Sequence, residues 1–308
     1  MIAIGVVVPA GVVDAVRDVT GIAALGPTLP TVGGFSNLSF RVVIANRLSV
    51  VKAATMPLKR ADLRREARVL SVLNTYDNQS IPTPKIVAHG DHGDWTVTVF
   101  DEVPGENGLT FLSRRSLGYV RQRCVVLARL LQAVQNAAPQ PLRDVDLDIA
   151  SRVAALVPFV TEGLVPGAES EQMLAALASP AVGRGISLVH GDFGMHNVMW
   201  DVDVRRVRVG GLLDWEFAGW GSPLSDVGWL WWTFQFRGIA HEFWPLFVEA
   251  YGRVALQAIG FESSAILDLV RVQMIQLLSR SDPESSARAE WLRRWRALDT
   301  LPLPTLQV

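Results

Sequence analysis

Polar residues that could do chemistry are concentrated in one stretch of an otherwise apolar chain. The segment SLVHGDFGMHNVMW (187–200) contains Asp192 and Asn197, five positions apart, after the apolar run ISLV. A short strand followed by a loop would expose Asp192 and bring Asn197 back beside it. A carboxylate can accept a hydroxyl proton, and an amide oxygen can bind a hard cation. The spacing therefore predicts a base next to a metal ligand.

A second carboxylate follows another strand-like run further along the chain. Asp214 ends the segment VGGLLD, at the predicted end of a strand. Phosphoryl transfer needs a base that orients the nucleophile and oxygen ligands that hold a metal against phosphates. The competing interpretation makes Asp192 and Asp214 turn residues and Asn197 a cap. The D-x-x-x-x-N spacing followed by a strand-end Asp favours the catalytic interpretation.

The histidines of the same segment offer an alternative. His190 and His196 lie six positions apart in a predicted loop, and neither a cysteine nor a third histidine is near. This favours His190 as a buried residue that holds the loop by hydrogen bonds. A metal-dependent hydrolase using Asp192 and the histidines would instead show Zn²⁺-dependent activity without ATP.

Features of the first hundred residues could bind nucleotide phosphates. Lys52 ends the β-like run SVVK and has apolar neighbours on both sides. Glu66 follows 14 residues later on a predicted helix, where it could pair with the ammonium group, and Asp62 is its competitor. The turn GGFSN (33–37) offers Ser36 and backbone amides to phosphates, or is a simple hairpin turn.

The surrounding elements change in character along the chain. Residues 28–54 contain two β-like runs, RVVIA and LSVVKAA, joined by a turn at Asn46-Arg47, and residues 58–76 have helical spacing of apolar residues. After a Pro-Gly break at 104–105 the chain is mostly helical, apart from short β-like runs at 187–217. The sequence therefore predicts an α+β fold with two domains, residues 1–103 and 104–308.

Composition limits the class of protein. With 49% hydrophobic and 19% charged residues, the chain is expected to be globular, and a net charge of -1 gives no reason to expect nucleic acid. The single cysteine, Cys124, fits a reducing cytoplasm. The apolar N-terminal run lacks a positive flank and, like residues 227–236, is too short to span a bilayer. No membrane partner is expected, and the N-terminal run is interpreted as part of the folded domain.

The order of these features resembles the aminoglycoside phosphotransferase and choline kinase family of kinase-like enzymes. LVHGDFGMHNVMW resembles that family's HGDxxxxN motif, and LLDWEFAGWGSPLSDVGWL resembles its DWE segment. The stretch GGFSN…VVK…REARVL…IPTPKIV…VPG resembles the family's N-lobe. The similarity extends over roughly residues 25–235 and is specific at 188–228. Eukaryotic protein kinases fit poorly, because HRD, DFG and APE are absent.

The resemblance implies a bilobal, protein-kinase-like fold with an antiparallel β-sheet N-lobe plus one helix and a mostly helical C-lobe. Nucleotide, ATP with GTP as an alternative, would lie between the lobes. Asp192 would be the catalytic base, Asn197 and Asp214 would hold Mg²⁺, and Lys52 would contact the α and β phosphates while paired with Glu66. The other implied site residues are Phe100, Asp101, Glu102 and Val103 as the adenine-binding hinge, with His190 and Asp226 as loop supports.

Two positions depart from the family pattern. Gln135 stands where the family often has His, and Ser222 stands where Asp is common. Neither is expected to take part in the chemistry.

The acceptor would be bound by the helices after the metal loop. Residues 229–247 are rich in aromatic side chains, and residues 271–296 carry six Arg. Polycationic aminoglycosides would need a strongly acidic cleft. Most of the aromatic residues are expected in the core. Any that line the cleft favour an acceptor with an apolar or planar part, such as a macrolide or nucleoside-type antibiotic.

The prediction is thus an ATP-dependent kinase of a small-molecule hydroxyl, an antibiotic-resistance enzyme located in the cytoplasm. One alternative is a metabolic kinase of a sugar, amino alcohol or homoserine-like compound. Another is a nucleotide-binding pseudoenzyme, against which the presence of all the predicted catalytic residues argues. The sequence does not indicate the oligomeric state.

Overall fold

The computed structural model describes eight stretches of the chain, namely residues 8–23, 25–30, 38–75, 80–111, 117–137, 147–162, 167–203 and 206–306. The chain forms two units, each discontinuous in sequence. One contains Met1–Gly105 and Gly210–Phe217, and the other contains Glu106–Val209 and Ala218–Val308. The sequence predicted a single boundary after residue 103, without the return of residues 210–217 to the first unit.

The first unit contains an antiparallel sheet and two helices. Its elements are α1 (Ala10–Thr20), β1 (Thr28–Pro30), β2 (Leu38–Ile44), β3 (Arg47–Ala54), α2 (Pro57–Thr75), β4 (Ile86–His92) and β5 (Trp95–Asp101). The strand order is β1-β2-β3-β5-β4, so β3 pairs with β2 on one side and with β5 on the other. The central position of β3 fixes the residues it carries from both sides.

A two-residue turn joins β2 and β3. Ala45 and Asn46 have φ values of 49° and 63°, the left-handed backbone that matches the twist of a tight hairpin. In β2, Phe40 and Val42 alternate with less buried residues, as expected for a strand with one core-facing side. The turn lies one residue earlier than the predicted Asn46-Arg47.

Helix α1 was not predicted, since the sequence indicated one helix in this region. Its residues Val12 and Val16 are fully buried in one cluster with the strand residues Phe40 and Val97. The helix ends at Gly21, whose positive φ of 69° allows its N–H to bond the carbonyl of the last turn. The apolar N-terminal run therefore supplies part of the core of the first unit.

The second unit is mostly helical, with short strands. Its elements are β6 (Glu106–Asn107), α3 (Gly108–Phe111), α4 (Leu117–Asn136), α5 (Ile149–Ala154), α6 (Val157–Thr161), α7 (Gly167–Leu177), β7 (Ser187–Val189), β8 (Val198–Asp203), β9 (Arg206–Leu212), β10 (Gly219–Gly221), α8 (Leu224–Phe236), α9 (Ala240–Tyr251), α10 (Arg253–Ala258), α11 (Ser263–Arg280) and α12 (Ser286–Leu298). Strand β7 pairs with β10, and β9 leads the chain back into the first unit.

Helix α8 lies in the core of the second unit, where it packs against α9 and α11. Gly228 allows the close approach of α11, because a Cβ there would be 3.3 Å from the Ile266 carbonyl oxygen. Most aromatic side chains of residues 229–247 are buried, as expected, whereas Phe236 is 39% exposed. Within the described ranges, no helix combines the length and apolar character needed to cross a membrane.

Candidate active site

Strand β3 carries Lys52 into a cluster of carboxylates within the first unit. Its Nζ atom lies 2.8 Å from Glu66 Oε1 and 2.7 Å from Asp214 Oδ1. Lys52 lies between Val51 and Ala53, whose side chains face the core. Because side chains alternate along a strand, that of Lys52 points to the opposite face. The structure therefore brings together three of the residues that the sequence singled out.

Helix α2 offers two carboxylates one turn apart, and Lys52 pairs with the second. Asp62 instead accepts a hydrogen bond from Arg65 Nη1 at 2.7 Å. The same guanidinium atom donates to the backbone carbonyl of Glu216 at 2.6 Å. Asp62 thus orients the arginine that holds the segment after Asp214.

Three acidic side chains, Glu66, Asp214 and Glu216, act on the single Lys52 ammonium group. Burial alone would lower the pKa of Lys52, but attraction from Asp214, Glu66 and Glu216 outweighs it and raises the pKa, so the group stays charged. Burial and repulsion from Asp214 raise the pKa of Glu216 to about 8. A buried group of carboxylates around one ammonium is a favourable environment for an additional cation.

Asp214 has a backbone conformation that residues other than glycine rarely adopt, with a φ of 67°. Its neighbours impose it. The N–H of Trp215 donates to Glu66 Oε1 at 3.1 Å, and the indole Nε1 donates to the Leu212 carbonyl at 2.9 Å. Backbone strain that is held in this way is found preferentially at functional sites.

The predicted hinge Phe100–Val103 begins at the end of β5. The N–H groups of Asp101 and Glu102 donate to backbone carbonyl groups of the same unit, at 2.9 and 3.2 Å. Phe100 is buried, with its ring centroid 5.8 Å from the Lys52 ammonium. Two of the N–H groups of the segment are thus bonded within the unit, and the adenine contact of Phe100–Val103 stays a prediction.

In the second unit, a buried carboxylate shapes the loop that carries Asp192. Asp226, on α8, accepts hydrogen bonds from the N–H groups of His190 and Gly191, each at 2.8 Å. Gly191 has a φ of 83°, which favours glycine. The buried His190 ring accepts the N–H of Asp192 at Nδ1, at 3.2 Å. Both residues predicted as loop supports thus bond the backbone of the loop.

Three side-chain donors hold the Asp192 carboxylate. Asn197 Nδ2 donates to Oδ2 at 2.9 Å, His196 Nε2 lies 3.2 Å from the same oxygen, and Trp229 Nε1 donates to Oδ1. Because a carboxylate only accepts, His196 must carry its proton on Nε2. The side chain of Asp192 is 18% exposed, so part of it remains accessible.

The electrostatic surroundings keep Asp192 ionised. Burial acts to raise the pKa of its carboxyl group, but attraction from His196 and the hydrogen bonds from His196 and Trp229 lower the pKa by more. The net effect is a pKa below the usual value for Asp. An ionised carboxylate in a fixed orientation can bind a hydroxyl group and accept its proton during a reaction.

The short 3₁₀ turn Met195–Asn197 is supported by β6 and α3. Asn107 Nδ2 donates to the His196 carbonyl at 2.6 Å. Gly108 approaches so closely that a Cβ would lie 2.0 Å from the Met195 carbonyl oxygen. The position of the turn therefore depends on glycine at 108.

Asn197 and Asp214, the predicted metal ligands, offer oxygen atoms. Asn197 Nδ2 donates to both the carbonyl and the carboxylate of Asp192, which leaves its Oδ1 for a cation. Mg²⁺ is usually bound by one or two protein oxygens together with phosphate and water. Among the described residues, no three His, Cys, Asp or Glu side chains form a metal cage. Taken singly, each of the two side chains offers an oxygen of the kind that Mg²⁺ binds, and their joint role as metal ligands stays a prediction.

Glu216 and Trp229 belong to these clusters but were not predicted as site residues. Glu216 lies two positions after Asp214, and this proximity is the signal that could have identified it. Trp229 was grouped with the aromatic residues of the core, and its sequence neighbours do not show that its N–H faces Asp192. Ser36 lies outside the described residues, so its phosphate contact stays a prediction.

Comparison with known proteins identifies the family. Residues 28–267 match the phosphotransferase enzyme family. The chain belongs to this family. The match confirms the resemblance predicted from the motifs, and with it the enzyme class, a small-molecule phosphotransferase.

Individual relatives are more distant. Over 114 residues the chain is 33% identical to viomycin phosphotransferase from Streptomyces vinaceus, a match that covers 35% of this chain and 38% of that protein. A thermostable mutant of aminoglycoside phosphotransferase APH(4)-Ia, in ternary complex with ADP and hygromycin B, superposes with a TM-score of 0.64, 16% identity, and coverage of 92% and 96%. The GDP and kanamycin complex of APH(2")-IIIa gives a TM-score of 0.69, 12% identity, and coverage of 94% and 98%. These structures confirm the predicted bilobal, kinase-like α+β fold.

Proposed function

We propose that the protein transfers the γ-phosphate of ATP to a hydroxyl group of a small molecule. The observation that carries this proposal is the ionised Asp192 carboxylate, which three donors hold and whose side chain is 18% exposed. Such a group orients a hydroxyl and accepts its proton as the phosphoryl group is transferred. Membership of the phosphotransferase family supports the same chemistry.

The other residues act by binding and positioning. Lys52 binds phosphate oxygens with an ammonium group that Glu66 holds in place, and the segment Phe100–Val103 binds adenine through its backbone. Asn197 and Asp214 hold Mg²⁺, which when bound neutralises negative charge on the phosphates. The remaining assignments are Ser36 as a phosphate donor, and His190 and Asp226 as supports of the catalytic loop.

ATP is the proposed donor, and GTP is the alternative to be measured beside it. The two similar structures above contain ADP in one case and GDP in the other. A comparison of kcat/KM for the two nucleotides decides between them. The proposal places the enzyme in the cytoplasm, where nucleoside triphosphates are available.

The proposed acceptor is an antibiotic, because the relatives named above act on viomycin or are bound to hygromycin B and kanamycin. At the exposed end of α8, Arg237 and Arg294 lie over the ring of Phe236, at 5.6 and 4.0 Å from its centroid. A cationic aromatic surface of this kind disfavours polycationic acceptors and favours those with an apolar or planar part. A macrolide or nucleoside-type antibiotic has that character.

The test is phosphate transfer from ATP with Mg²⁺ to a panel of aminoglycosides, peptide antibiotics, macrolides, nucleoside antibiotics and small metabolites, read by mass spectrometry. We expect one antibiotic class to gain a phosphate. We expect Asp192→Asn to lower turnover by roughly 10² to 10⁴ with nucleotide affinity retained. Asp201→Asn, at an exposed position on β8, is the matched control and should retain activity.

Other outcomes would redirect the proposal. Phosphorylation of metabolites alone would make the protein a metabolic kinase. Tight nucleotide binding without transfer to any acceptor would indicate a pseudoenzyme. Normal turnover in Asp192→Asn would remove the role of the base from this residue.

A further inference from the structure

We propose that Trp229 is a positioning residue for the Asp192 carboxylate, an inference that rests on the proposed function of Asp192. The indole Nε1 donates a hydrogen bond to Oδ1, whereas Asn197 donates to Oδ2. Each of the two carboxylate oxygens therefore accepts from a donor on a different element, the catalytic loop or α8. This arrangement fixes the plane of the carboxylate as well as its position.

The number of hydrogen bonds indicates what remains for the acceptor. A carboxylate has about four lone-pair sites. Trp229 and Asn197 take one site each, His196 Nε2 lies 3.3 Å from Oδ1 and 3.2 Å from Oδ2, and the side chain is 18% exposed. The exposed part of the side chain is where an acceptor hydroxyl would reach the carboxylate. Removal of the indole donor would leave Oδ1 with only the 3.3 Å contact to His196 Nε2 and would weaken the control of the orientation of the carboxylate.

Ring packing holds the indole itself in place. Trp229 is 3% exposed and stacks on Trp232, with centroids 4.5 Å apart. Trp291, on α12, lies against both rings at 6.3 and 5.8 Å, and the Arg294 guanidinium lies 4.5 Å from the Trp291 centroid. Two helices thus define the direction of one N–H group.

An indole is suited to orient a base without neutralising it. Its N–H only donates, and it carries no charge over the working range of pH. A Lys or Arg in its place would form an ion pair with the carboxylate and reduce its capacity to accept a proton. Trp229 therefore orients Asp192 and leaves the negative charge in place.

The experiment removes the N–H group while keeping the ring. Trp229→benzothienylalanine replaces the N–H by sulfur in a ring of nearly the same shape, and Trp229→Phe, a genetically encoded variant, removes the N–H together with part of the ring. We expect kcat to fall roughly 10- to 100-fold in both variants, the effect of one lost charge-assisted hydrogen bond, while KM for nucleotide and acceptor stays within about threefold. Trp244→Phe is the control, because that buried indole donates to the Thr305 carbonyl in the same unit. Its kcat should match the wild type.

A second measurement reports on the contact independently of turnover. In ¹⁵N-labelled protein, the indole signal that disappears in Trp229→Phe should shift in Asp192→Asn. Absence of that shift would show that the bond does not exist. An unchanged kcat in the benzothienylalanine variant, or a rise in KM alone, would overturn the positioning role. Absence of transfer by the wild type to every acceptor would overturn the proposed function, and this inference with it.

Discussion

At the scale of single residues, Asp214 combines an unusual backbone with a charged environment. Its φ of 67° is imposed by the hydrogen bonds of Trp215, and its carboxylate accepts from Lys52. Asn tolerates the left-handed region better than other non-glycine residues do, so Asp214→Asn removes the charge and preserves the conformation.

We expect Asp214→Asn to reduce the Mg²⁺-dependent part of nucleotide affinity by roughly tenfold or more, because a metal loses a charged ligand. Calorimetric titrations with and without EDTA separate that part from metal-independent binding. Asp94→Asn, in the exposed turn between β4 and β5, is the control in the same unit. Equal loss of affinity with and without metal would move the Mg²⁺ site away from Asp214.

The residues that the sequence identified share a property. Lys52, Glu66 and Asp214 are polar side chains next to apolar strand or helix patterns, and the order of the motifs links them. Trp229 differs, because it lies among several tryptophans of a buried helix, 37 positions from Asp192. Which indole directs its N–H to the loop is set by helix packing, which local spacing does not encode.

At the scale of elements, the contact of α3 with the catalytic turn is the most demanding in the second unit. Gly108→Ala would place a Cβ 2.0 Å from a backbone oxygen, an overlap that no side-chain rotation can relieve. We expect a loss of roughly 1 to 3 kcal/mol in the free energy of unfolding and a reduced kcat, because the turn must move. Chemical denaturation and steady-state kinetics measure the two effects.

Gly118→Ala provides the control, because a Cβ at that helical position meets nothing within 4 Å. Since Ala is the better helix former, this variant should be neutral or more stable by up to about 1 kcal/mol. Equal stability of the two variants would show that the turn accommodates the extra atom.

Elements were predicted well where one pattern dominates. The strands around Lys52 alternate, and α2 repeats its apolar residues at helical spacing. Helix α1 was missed because AGVVDAVRDV is rich in β-branched valine, which lowers helix propensity, and follows a longer apolar run. Packing on the sheet outweighs that propensity.

At the scale of the whole molecule, the net charge of -1 makes general charge repulsion a small contribution to the pH dependence of stability. The pKa shifts of single buried groups then dominate the pH dependence of the free energy of unfolding. Burial raises the pKa of Asp226 to about 7, against the hydrogen bonds from the loop N–H groups, which lower it. Between its ordinary pKa of 3.8 and about 7, this carboxyl group therefore binds more protons in the folded protein than in the unfolded chain.

It follows that the free energy of unfolding contains a contribution that is fully present below pH 4 and is lost as the pH rises towards 7. Urea unfolding at a series of pH values should show this decline in the wild type. Asp226→Asn should remove that part of the slope, even though it weakens the loop at every pH. A wild-type slope of the opposite sign across this range, unchanged in the variant, would contradict the assignment.

The fold class could be predicted at this scale because strand and helix patterns separate cleanly near residues 104–105. The sequence could not predict that residues 210–217 belong to the first unit. Periodicity describes a segment and its immediate neighbours, whereas this assignment depends on contacts such as that of Lys52 with Asp214, 162 positions apart.

That discontinuity has a consequence for biosynthesis. A nascent chain emerging from the ribosome presents residues 1–105 long before Gly210–Phe217, so the Lys52 ammonium meets Glu66 first and Asp214 only later. At about 5 to 20 residues per second, the delay is roughly 5 to 20 s. During this interval the sheet can form while its carboxylate cluster is incomplete. For the same reason, a gene fragment ending at residue 105 would encode the strands of the first unit but not Asp214.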